Sequence, residues 1–155
     1  MFVCSVRAST VKFFAVIALT LVVLVGAISI GGAVVEASGS AKVNFGGIKT
    51  NEDRLEFISQ FGINIAGEPS ETESFTVPEN FDKVIAGYNE IQKSQGLDIS
   101  KYKNKKVTRY TYETDGYGDY DGKVFVNLIV YRNTVVACDV SSADPSGFIE
   151  PLVKL

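Results

Sequence analysis

The chain has 155 residues, 46% of them hydrophobic and 21% charged, with 15 basic and 18 acidic side chains, a net charge of −3 and no histidine. That charge balance excludes a nucleic-acid partner, and the lack of histidine removes His-based nucleophilic triads, the usual zinc sites and a pH switch near neutrality. The two cysteines, Cys4 and Cys138, offer no disulfide framework.

The N-terminal residues set the location. Residues 1–12 are a short basic start with Arg7 and Lys12, and residues 13–35 are an unbroken apolar run in which Thr20 and Ser29 alone carry hydrogen-bonding side chains. About twenty such residues span a bilayer's hydrocarbon core. With Arg7 and Lys12 before the run and Glu36 after it, the basic flank is expected on the cytoplasmic side and the rest of the chain outside. The expected product is a single-pass membrane protein with an extracytoplasmic domain, its two cysteines on opposite sides of the bilayer. The alternative is a signal peptide cleaved after Ala37. Against cleavage, the run exceeds the usual apolar region of about 7–15 residues, and Glu36 is an awkward neighbour for the scissile bond.

Residues 36–49 are rich in Ser, Gly, Ala and Asn and read as a flexible tether; residues 50–155 are the domain. Dropping Arg7, Lys12 and Glu36 leaves 13 basic and 17 acidic side chains outside, a net charge of −4. Thr50 and Asp53 form a capping-box pattern, and Leu55, Ile58 and Phe61 share a face, which predicts a helix over 51–61 closed by Gly62. Two short strands are expected around Ile63 to Ile65 and Ser74 to Val77, both as edge pieces. Pro78 then opens a helix whose stripe is Phe81, Val84, Ile85, Tyr88 and Ile91, ending at Gly96. A connection through Leu97 to Tyr102, with Ser100 as a possible cap, leads by a turn at Asn104 to strands over 107–113, 123–131 and 135–140. The middle strand is nearly all apolar and is expected at the sheet's centre, with Asn133 turning a tight hairpin into the last strand. The fold class is α+β: two helices packed on an antiparallel meander of at least three strands. The cluster Lys101, Lys103, Lys105, Lys106 and Arg109 reads as a solvated face.

Candidate chemistry is sparse. The segment DGYGDYDG at 115–122 echoes part of a calcium loop through Asp119, Asp121 and Gly122, but an EF-hand frame from Asp115 puts Val126 where a bidentate Glu is needed. It reads instead as a long Gly- and Asp-rich hairpin loop whose Tyr117 and Tyr120, with Asp119 and Asp121, offer a contact surface. In the segment SSADPSGF at 141–148, Asp139, Ser141, Ser142 and Asp144 are candidates to converge on a ligand, with an Asx-type turn before Pro145 as the plainer reading. A carboxylate pair of the glycosidase kind, drawn from Glu113, Asp139 and Asp144, is the enzymatic alternative. No serine has a recognisable base, and no cofactor or metal motif occurs.

Three stretches carry a resemblance: KTNEDRLEFISQFG at 49–62, VPENFDKVIAGYNEIQKSQGLDISKYKNKKVTRYTYE at 77–113, and VFVNLIVYRNTVVACDVSSADPSGF at 124–148. Together they resemble an uncharacterised family of small bacterial proteins, domain-of-unknown-function family 4830. The resemblance implies a basic start, one membrane segment and a small outer domain, and it brings no activity, cofactor or catalytic residue. Where a glycine is expected in the YRNT turn, this chain has Asn133. The expected role is binding an envelope protein or peptide. The alternatives are a cell-envelope hydrolase using carboxylates and a secreted domain released after Ala37.

Overall fold

A capping box starts the first helix, α1 (Asn51–Ser59): Thr50 Oγ1 accepts the Asp53 amide, while Asp53 Oδ2 accepts the amides of Lys49 and Thr50 at 2.8 and 2.7 Å. This computed structural model describes residues 43–144 and 146–152. The membrane segment at 13–35, Cys4 and the cleavage point after Ala37 lie outside the described residues, among which no helix is long and apolar enough to cross a membrane.

Downstream come β1 (Glu71–Thr76), α2 (Lys83–Ser94), a 3-10 turn (Ile99–Tyr102), β2 (Lys106–Tyr117), β3 (Tyr120–Tyr131), β4 (Thr134–Ser142) and β5 (Ile149–Pro151). The strands form one antiparallel sheet in the order β1-β2-β3-β4-β5, so β3 is central as its apolar run requires. Arg132 (φ 45°) and Asn133 (φ 66°) both adopt the left-handed region, the geometry of a two-residue hairpin with the strands' own twist, and Asn133 serves where a glycine was expected.

Alternation along the strands gives the sheet two apolar faces. One carries Tyr112, Val124, Val126, Leu128 and Val140 and is covered by Phe57 and Ile58 of α1; the other carries Val107, Ile129 and Ala137 and is covered by Tyr88 and Ile91 of α2. Of the predicted stripe, Phe81, Val84, Tyr88 and Ile91 lie in the second core, and Ile85 is buried.

Several boundaries differ from the sequence reading. Ile63 to Ile65 form no strand; Ile63 is instead buried in the first core from a loop. α2 begins at Lys83, not at Pro78, because Asp82 Oδ1 accepts the Val84 and Ile85 amides at 3.0 and 2.9 Å. It ends in a Schellman motif, with Gly96 at φ 82° and the Leu97 amide donating to Gln92 O. Asp98, not Ser100, caps the 3-10 turn. The part of the expected tether that is described packs on the domain: Ile48 is buried, and Val43 and Phe45 lie against the first core. β5, only three residues long, is too short to carry an alternation signal in the sequence.

The outer edge of β4 is covered by three unlike pieces, which removes an exposed pairing template. Phe45 O accepts the Val135 amide and the Ile48 amide donates to Asn133 O. Further along, Gln92 Oε1 accepts the Cys138 amide and Gln95 Nε2 donates to Cys138 O, so one side chain of α2 and that of its C-cap residue stand where a strand would be. β5 then pairs with residues 139–141.

Candidate functional site

Two regions carry the polar side chains singled out above, and they differ in access to solvent. The first is the β2–β3 hairpin tip. The expected long loop is absent: β2 runs to Tyr117 and β3 starts at Tyr120, joined by Gly118 and Asp119, with an irregularity between Asp115 and Tyr117. Gly118 takes φ 57°, which a two-residue turn needs at its first position. Because β1 pairs only as far as Thr111 and β4 only as far as Val124, the tip projects beyond the neighbouring strands.

Tyr117 and Tyr120 are half-buried, not free contact residues. Phe148 stacks on Tyr117 at 6.2 Å between ring centroids and meets Tyr120 edge-on at 5.2 Å, in geometries aromatic pairs favour. Tyr120 also lies flat over Gly122, where a Cβ would come within 2.6 Å of its ring. Asp119 and Asp121 are exposed. At the base of the tip is an open cleft of about 380 Å³, with Ile63 and Asn64 of the loop after α1 on one side and Thr114, Asp115 and Tyr117 on the other. The hairpin tip therefore brings together four of the six predicted site residues.

The second region is buried beneath α2. On that face, Thr111, Asn127 and Asp139 occupy paired positions on β2, β3 and β4, and Arg109 lies two residues before Thr111, opposite Glu73 of β1. Arg109 Nη2 donates to Glu71 and Glu73 of β1 at 3.2 and 3.0 Å, Thr111 Oγ1 donates to Asn127 Oδ1 at 2.9 Å, and Asn127 Nδ2 donates to Asp139 Oδ2 at 2.8 Å. Tyr88 of α2 completes the ladder, its hydroxyl donating to Asp139 Oδ1 at 2.7 Å. Burial pushes the Asp139 carboxyl up to about 6, against the lowering pull of the Tyr88 and Asn127 donors and the Arg109 charge. The Tyr88 phenol is driven well above its ordinary value by burial and then by the Asp139 charge. Arg109 is thus no member of a solvated lysine face.

Asp139 and Asp144 do not meet. Asp139 is fully buried, whereas Asp144 is exposed and accepts the Ser146 amide and hydroxyl at 2.8 Å, the Asx-type turn expected before Pro145, and its carboxyl is lowered by those bonds. Ser142 Oγ bonds Asp144 O and the Phe148 amide, holding the same turn. Glu113 is exposed and paired with Lys123. The trio proposed for acid and base chemistry is therefore dispersed. Among the described residues no group of three or more His, Cys, Asp or Glu is placed to hold a metal ion.

Cys138 is buried on the first core's side, where desolvation raises its thiol well above the ordinary value. In the sequence, Tyr88 reads only as a member of the apolar α2 stripe and Arg109 only as part of the lysine cluster, while Thr111 and Asn127 belong to no motif. The available signal was an arginine, an asparagine and an aspartate each recurring on one face of strands otherwise rich in apolar residues.

A projecting hairpin over a doubly covered sheet, with Asp139 the one buried carboxylate among the described residues, defines a small α+β domain. The family model for a domain of unknown function (DUF4830) matches residues 57–140, and the chain belongs to that family. The matched stretch contains the whole buried ladder and the hairpin tip, and excludes Asp144 and Phe148. No curated protein and no solved structure matches the chain.

Proposed function

We propose that this protein is a membrane-anchored binding domain, held by residues 13–35 with its α+β domain outside the cytoplasm, and that the β2–β3 tip is the surface it presents to an envelope protein or peptide. The observation that carries this reading is the tip itself: it projects past both neighbouring strands, its backbone is braced by Tyr117, Tyr120 and Phe148, and it leaves Asp119 and Asp121 in solvent above an open cleft. Rigid aromatic support lowers the entropy lost on contact, and exposed carboxylates favour a partner with a basic or hydrogen-bond-donating surface.

The enzymatic alternative loses its basis, because Asp139 is closed to solvent and its two oxygens are occupied by Tyr88 and Asn127. The test is site-specific photo-cross-linking in native membranes from position 119, with position 90 on the exposed face of α2 as the control. A discrete adduct from 119 alone is expected; adducts of the same kind from both positions, or from neither, contradict the assignment.

A further inference from the structure

Five exposed cations are gathered at the end of the sheet opposite the acidic tip. Thr76 pairs with Lys106 and Tyr131 with Thr134, so the end of β1, the start of β2 and the β3–β4 turn lie together. Lys101, Lys103, Lys105 and Lys106 are exposed there, as is Arg132 in the turn. Half-buried rings lie between the charges: Lys103 Nζ is 4.9 Å from the centroid of Phe81, the Arg132 guanidinium is 5.3 Å from that of Tyr131, and Tyr131 meets Tyr102 edge-on at 5.5 Å. The nearby acids are Glu79, Asp82 and Asp98, of which Asp82 caps α2 and Asp98 caps the 3-10 turn. At the far end are Asp115, Asp119 and Asp121.

Among the described residues, the N-terminal segment meets β4 near the same end, where Phe45 O accepts the Val135 amide. Gly46 bridges Thr134, next to Arg132 and Asn133. Residues 36–42 lie between the apolar run and Val43, and seven residues reach at most about 25 Å. A 12-residue strand such as β3 is itself about 40 Å long.

We propose that this basic and aromatic end is a lipid-facing surface, which rests on anionic headgroups of the bilayer crossed by residues 13–35 and so turns the acidic β2–β3 tip away from the membrane. The inference rests on the reading of 13–35 as a span. Clustered lysines beside a membrane segment are drawn to anionic headgroups, and aromatic side chains favour headgroup depth. The attraction is confined to about a Debye length, roughly 10 Å at 0.1 M salt, so salt is the discriminating variable.

The experiment uses the full chain in nanodiscs made with and without phosphatidylglycerol, pulsed with an amine-reactive reagent and read lysine by lysine by mass spectrometry. Labelling of Lys101, Lys103, Lys105 and Lys106 should fall several-fold in the anionic discs and recover at high salt, while Lys93 and Lys123, exposed elsewhere and paired with Glu90 and Glu113, stay unchanged. The double variant K101E/K105E should abolish the protection of Lys103 and Lys106. A chain that co-purifies with both discs yet labels alike in them overturns the lipid contact alone. A chain that fails to co-purify overturns the span and the proposal together.

Discussion

The Tyr88 hydroxyl donates to Asp139 Oδ1 across 2.7 Å, with both residues closed to solvent, and this bond joins α2 to the sheet's polar ladder. Removing it with Tyr88→Phe leaves the carboxylate short of a donor in the interior, which costs about 1–3 kcal/mol. Pulse proteolysis of the full chain over a urea series measures this. In an Asp139→Asn background the cost should shrink, because the neutral amide needs the hydroxyl less; equal costs in both backgrounds mean that the bond carries no coupling.

The same carboxylate predicts a pH dependence of known sign. A folded value of about 6 lies above the ordinary 3.8, so between these two the folded chain holds a proton that the unfolded chain has lost, and the Asp139 contribution declines as pH rises across that window. Asp98 acts oppositely: the Ser100 hydroxyl, then Asn89, hold it at about 2, so its contribution is complete above 3.8 and is lost as pH falls toward 2. The melting temperature of the wild type relative to Asp139→Asn should therefore drop from pH 4 to pH 7. A difference that is constant or grows over this range is inconsistent with a destabilising buried carboxylate.

Gln92 and Gln95 substitute for a strand at Cys138. Gln92→Met keeps the volume and removes the acceptor, stranding the buried Cys138 amide at a cost of about 1–3 kcal/mol. Amide exchange at Cys138 should accelerate more than at Val126 in the sheet's centre. Unchanged protection would show that the glutamine is not what closes this edge.

At the tip, Tyr120→Ala removes a ring contact with Phe148, and such pairs contribute about 0.5–1.5 kcal/mol beyond their area. Asp119→Asn, in solvent, should stay within about 0.5 kcal/mol. Ile85→Ala in the α2 stripe should cost more than either, about 2–5 kcal/mol, through lost burial and the cavity left behind. Urea midpoints of the three variants set this order, and a neutral Ile85→Ala would show that the core is misplaced.

The elements with strong local signals were legible in the sequence: the Thr50 and Asp53 capping box, the α2 stripe, the apolar β3 and the Asn133 turn. What escaped depended on distant partners. β2 and β3 run on through a Gly- and Asp-rich segment whose composition alone reads as loop, and there the distant Phe148 packs on Tyr117 and Tyr120. Residues 43–48 look like a tether until the open edge of β4 is available to them. Arg109 shares a run with four lysines, and only the strand's alternation, together with Glu71 and Glu73 across the pair, turns it inward. For the candidate site, the tip residues were recognisable from composition, whereas the separation of Asp139 from Asp144 depended on which sheet face each residue occupied.

Both the anchored binding role and the lipid-facing end require residues 13–35 to remain part of the working protein. The intact mass of the protein purified from its native membrane tests this directly. A mature chain that still contains 13–35 is expected; one beginning at Ser38 would overturn the anchor, leaving the domain secreted and its basic end without a bilayer of its own.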